Sequence, residues 1–79
     1  MTPTIHLNGT SREELLGQLC DAIVAINAAV RATEAACPNA RDYYPLGPDA
    51  IKQALAEHTA RIHKLQSVNR ELNEIAEAI

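Results

Sequence analysis

Apolar residues between positions 10 and 37 recur in alternating steps of three and four. Leu16, Leu19, Ile23, Ile26 and Val30 make one stripe with the spacing of a coiled-coil seam. Leu15, Ala22, Ala29, Ala32 and Ala36 widen that stripe. At its start, Thr10 with Glu13, or Ser11 with Glu14, offers a capping box. Pro38 has no amide hydrogen and biases Cys37 away from helical angles, so the pattern predicts a first helix over about 10–37. Gly17 within it marks either a close helix crossing or an incidental glycine, at up to about 1 kcal/mol relative to alanine.

A second seam reads Ile51, Leu55, His58, Ile62, Leu65, Asn69, Leu72, Ala76 and Ile79, with Val68 and Ile75 beside it. Pro48 and Asp49 suit the first turn of a helix, which the pattern extends over 48–79, about 45 Å. On its outer face Glu57–Arg61 has the favourable order for an i,i+4 pair, and Arg70–Glu74 the weaker one. Residues 1–9 alternate instead, with Ile5 and Leu7 on one side and Thr4, His6 and Asn8 on the other. This predicts a short β-strand closed by an Asn8-Gly9 turn. A lone strand is unstable, so it pairs with a copy of itself, lies on the helices or frays; pairing across a dimer is the favoured reading.

Two long amphipathic helices in one domain spanning 1–79 form an all-α, antiparallel two-helix hairpin. A hairpin covers each stripe on one side only. The uncovered flanks predict a homo-oligomeric helical bundle, most simply a dimer of four helices, with higher closed symmetry as the alternative. Asn69 on the seam then fixes register and oligomer state.

Size and composition sharpen this picture. A chain of 79 residues holds one domain with a marginal core. It is 47% hydrophobic but only 3% aromatic, which favours helices packed on helices. Seven Lys and Arg against ten Asp and Glu give a net charge of −3. That balance argues against DNA, RNA and anionic membranes as partners, and no apolar run approaches the roughly 18 residues of a membrane span. No secretory signal is visible. Cys20 and Cys37 stand about 25 Å apart along one helix, too far to pair, and read as small buried residues in a reducing cytoplasm. No spacing matches a metal site and no cofactor loop is present.

No catalytic constellation stands out either. Adjacent Glu57 and His58 point about 100° apart, so acid–base catalysis between them is not expected. His58 reads first as a core or rim histidine hydrogen-bonded to a neighbour. The connector, 38–48 (PNARDYYPLGP), holds both aromatic residues, three prolines and one glycine. Tyr43 and Tyr44 offer stacking faces, and Arg41 offers a planar fork matched to phosphate. Prolines hold such groups at low entropic cost on binding. The competing reading has a tyrosine closing the end of the hairpin and Arg41 paired with Asp42 or with helix-terminal carbonyls.

The strings LNGTSREELL and ACPNARDYYPLGP, followed by a helix carrying a Glu57-His58 pair, resemble a group of small proteins encoded by tailed bacteriophages and prophages. The resemblance spans nearly the whole chain. It is most specific at Asn39, Arg41, Asp42, Tyr43, Tyr44, Pro45, Gly47 and Pro48; Ala40 stands where that pattern more often has glycine. The group brings no activity to transfer. It implies a phage accessory protein in the bacterial host cytoplasm. With the connector chemistry, the expectation is a non-enzymatic protein that sequesters a small anionic, nucleotide-like host signalling molecule. Asn39, Arg41, Asp42, Tyr43 and Tyr44 form its site, joined by His58 in the oligomer. The alternative is a protein–protein interaction module, inhibitor or assembly factor, that uses the same loop or the leftover apolar stripe.

Overall fold

The computed structural model describes all 79 residues. Its elements in chain order are helix α1 (Arg12–Ala35), a four-residue helix α2 (Ala40–Tyr43), a 3-10 turn (Tyr44–Leu46) and helix α3 (Ala50–Ala78). α1 and α3 lie antiparallel, and the molecule is a rod of 61 × 19 × 16 Å.

Ser11 caps α1: its Oγ accepts from the Glu14 amide at 3.1 Å, which satisfies one of the orphan donors of the first turn. Glu13 and Glu14 add negative charge where the helix dipole favours it. The helix closes through a shared bond, with the Ala36 amide donating to Ala32 and Thr33 carbonyls at 3.1 Å each. Pro38 then prevents its continuation. α3 starts two residues later than its pattern predicts, because Pro48 and Asp49 lie in the turn that leaves Gly47.

The inner stripe of α1 is confirmed. Leu16, Leu19, Ile23, Ile26 and Val30 are half-buried against α3, together with Leu15, Ala22 and Ala29. Ala32 and Ala36, by contrast, are exposed. On α3, Ile51, Ile62, Leu65, Leu72, Ala76 and Ile79 are half-buried as the seam requires. Leu55 is not a seam residue: it is 40% exposed, and Ala54 is buried in its place. At 100° per residue Ala54 lies nearer the centre of the stripe than Leu55, and its small side chain lets the helices approach closely near the bend.

Three polar links tie the helices across the hairpin. His58 Nε2 donates to the Thr33 carbonyl at 2.6 Å. Asn69 Nδ2 donates to Asn27 Oδ1 at 2.8 Å. Arg12 Nε donates to the Ile79 carbonyl at 3.3 Å. They join residues 25, 42 and 67 apart in sequence, at the bend, the middle and the open end. Together they pin one register along the rod. Glu57 and Arg61 form the ion pair expected of their order, 3.8 Å and exposed, worth a few tenths of a kcal/mol.

The predicted N-terminal strand is absent. Residues 1–10 form no bridge and are exposed throughout. A single extended segment in a chain without another strand has no ladder to join, so alternation alone does not fix its conformation. The Asn8-Gly9 turn does form, with the Gly9 amide donating to the His6 carbonyl at 3.1 Å. The His6 ring folds onto it, and a Cβ on Gly9 would meet His6 Nε2 at 2.8 Å. Beyond the turn, Met1 and Thr2 border an open recess with Val68, Leu72 and Ile75 of α3 while staying exposed, so the segment buries nothing on the helices.

Both cysteines are free and exposed, contrary to the burial inferred for them. Cys20 sits about 90° from the inner stripe and Cys37 follows the end of α1. α1 is also more apolar than run-counting indicates. Asp21 is its only charged residue between Leu15 and Val30, and by length and composition the helix qualifies to cross a membrane. Only Ala54 and His58 are buried in the whole chain.

Candidate functional site

The connector is ordered by its own sequence. Asn39 caps α2, its Oδ1 accepting from the Arg41 amide at 2.9 Å while the Asp42 amide donates to its carbonyl at 3.0 Å. This is the local bond asparagine makes in preference to continuing a helix. Pro45 fixes the first positions of the 3-10 turn. The chain escapes through Gly47 at φ 102° and ψ 166°, a conformation open essentially to glycine alone.

This frame gives the two tyrosines different surroundings. Tyr43 is half-buried and borders a small recess with Leu46, Gln53, Ala54 and Glu57, so it closes the bend of the hairpin against α3. Tyr44 is 86% exposed. It borders a cavity of about 580 Å³ lined also by Tyr43, Pro45, Gly47, Pro48 and Ile51, with Ala40 at its edge. That volume lies within the usual range for small-molecule sites, about 300–1,000 Å³. Tyr44 also borders a shallower cleft formed with Ala40 and Arg41.

Arg41 is exposed and forms no ion pair with Asp42 or with any other carboxylate. Its guanidinium is therefore free to meet an anion. Asp42 is likewise exposed, while the Asn39 side-chain oxygen is committed to the cap. A flat aromatic face and a free guanidinium thus border one cleft with Ala40, on a connector held by a cap, a proline and a positive-φ glycine. Such an arrangement can stack a planar ring and pair with a phosphate without first paying to order a loop.

His58 does not join them. It is 8% exposed and its ring is engaged with the last turn of α1. The Thr33 carbonyl carries no proton, so Nε2 must be the protonated nitrogen. α1 has no basic residue in its last turn, and His58 supplies a donor there from the other helix. The reading of His58 as a hydrogen-bonded core histidine is the one the structure bears out. Nowhere do three His, Cys, Asp or Glu side chains converge as metal ligands.

The exposure of Leu46, 73%, was not anticipated from sequence. It follows from the 3-10 turn, which aims Tyr44 and Leu46 outward while Tyr43 folds in. No protein-family model matches this chain, and neither a curated protein nor a solved structure shows detectable similarity to it.

Proposed function

We propose that this chain is a non-enzymatic binding protein that holds a small anionic, nucleotide-like molecule at the bend of its hairpin. Arg41 takes the phosphate, Tyr44 stacks on the ring, and the cavity beside Tyr43 and Pro45 takes the remainder. The observation that carries the reading is the preorganised pairing of an exposed tyrosine with a guanidinium that has no partner of its own, beside a cavity of about 580 Å³. Binding without turnover needs no acid, base or nucleophile. The likeness to small phage proteins supplies the setting: sequestration of a host defence signal in the bacterial cytoplasm. Self-association completes the reading, because a rod with two buried residues has little core of its own.

The test is titration calorimetry and thermal shift with cyclic dinucleotides and ADP-ribose-type nucleotides. Binding by one of them, at a hundred times Kd, raises stability by about 2.7 kcal/mol. Arg41→Ala and Tyr44→Ala each weaken it at least tenfold. No stabilisation by any member of the panel overturns the proposal. A second reading, docking of a protein through the same bend, draws on the exposure of Leu46 beside Tyr44. It is favoured instead if nucleotides fail and one host protein binds stoichiometrically in a Tyr44-dependent manner.

A further inference from the structure

α1 carries a second seam, on the side away from α3. Gly17, Asp21, Val24, Ala28, Arg31 and Ala35 follow one another in steps of four and three, and all are exposed, Val24 to 66%. At 100° per residue they fall within about 80° of helix surface, roughly 150° round from the inner stripe. The seam is self-complementary in the antiparallel sense. Read from either end, glycine answers alanine, a charge answers its opposite, and valine answers alanine. In heptad terms each such couple joins an a position to a d position, the layer geometry of an antiparallel pair.

We infer that this face is where a second copy of the chain docks, antiparallel, with its two-fold axis at the level of Ile26. Gly17 then faces the partner's Ala35, Asp21 faces the partner's Arg31, and Val24 faces the partner's Ala28; each contact occurs twice. The small residues let the axes approach to about 8 Å, the close end of helix packing. Asp21 and Arg31 form no ion pair within their own chain, and the register gives each of them one.

The rod as a whole exposes 6007 Å², about 1,300 Å² more than the roughly 4,700 Å² of a compact protein of 8.6 kDa, so the chain carries surplus surface of the order an interface covers. Docking along α1 leaves α3 and its charges outermost. It also carries each connector to the end of the assembly where the partner's α1 begins, leaving both Arg41–Tyr44 clefts open. A lipid surface fits the face less well. Asp21 and Arg31 lie on the seam itself, where hydrocarbon penalises both, and the alanines between them offer little apolar depth.

This inference names the face for the self-association proposed above, and charge reversal separates the two. Mass by light scattering behind gel filtration at tens of micromolar should give wild-type chain as a dimer or an even multiple of 8.6 kDa. Asp21→Arg and Arg31→Asp alone each set like charges against each other twice per interface and should weaken association at least tenfold. Their far-UV circular dichroism should stay helical, since neither side chain contributes to the hairpin. The double variant Asp21→Arg/Arg31→Asp restores opposite charges and should restore the wild-type mass. A wild-type monomer overturns both readings. An oligomer indifferent to the single reversals, or not rescued by the double, overturns this face and leaves self-association standing. Co-sedimentation of wild type with phosphatidylcholine vesicles in place of self-association assigns the face to lipid and overturns the inference.

Discussion

Replacing His58 by alanine tests whether this side chain holds the bend together or serves a ligand. The ring is 8% exposed and donates to the Thr33 carbonyl at 2.6 Å. Loss of that bond removes about 1 kcal/mol. The Thr33 carbonyl is not orphaned, because the Ala36 amide also donates to it at 3.1 Å, so the full penalty for a bare buried acceptor does not apply. Emptying the imidazole's space next to Ala54 adds about 1–2 kcal/mol more, at the low end for large-to-small changes because the site lies between two helices that can close up. The total is about 2–3 kcal/mol, against a stability of order 4–12 kcal/mol for 79 residues. By thermal melting at a fixed protein concentration, this lowers Tm by roughly 10–20 °C. His58→Leu keeps the volume and loses only the bond, so its cost is about 1 kcal/mol. Neither change alters nucleotide affinity at temperatures where the variant is folded. A His58→Ala protein within 0.5 kcal/mol of wild type, or His58→Leu with normal stability and lost binding, would refute the assignment.

Two further outcomes follow from the connector. Gly47→Ala forces a side chain into a φ of 102° although nothing crowds the position, so strain alone costs about 1–3 kcal/mol, read as a lower denaturation midpoint. The two tyrosines separate: Tyr43→Ala lowers Tm because it uncovers the start of α3, whereas Tyr44→Ala leaves Tm of the free protein within about 0.5 kcal/mol equivalents and removes binding. Equal effects of the two substitutions on Tm would contradict the inward and outward placement.

The rod was legible from sequence because its seams are long and regular: Leu16 to Val30 and Ile62 to Ile79 each repeat often enough to specify a face. Leu55 was misplaced because Ile51 has apolar residues both three and four positions ahead, and only the approach of α1 decides between them. The strand failed for a different reason. Alternation in Thr4–Asn8 states which side chains share a side, while a ladder depends on a second edge that this chain does not have. In the connector the prolines and the paired tyrosines were visible, yet the helical turn at Ala40–Tyr43 was not, although Asn39 followed by Ala-Arg-Asp carries the cap signal that announces it. The split between Tyr43 and Tyr44 depends on that turn. The outer seam of α1 is faint in the sequence because Gly17, Ala28 and Ala35 are too small to mark a stripe, and only the exposure of Val24 sets that side apart from the inner one.

Ala54 and His58, the two residues most shielded from water, both fall early in α3 beside the bend. The tightest part of this molecule is therefore at one tip of the rod, and the distant termini are its weakest. Unzipping is expected to begin where Arg12 meets Ile79 and to travel toward the tyrosines, so amide protons near Ala54 should be the last to exchange in a hydrogen-exchange measurement. On the binding reading proposed above, a molecule held at the bend would be fastened to the portion that lets go last.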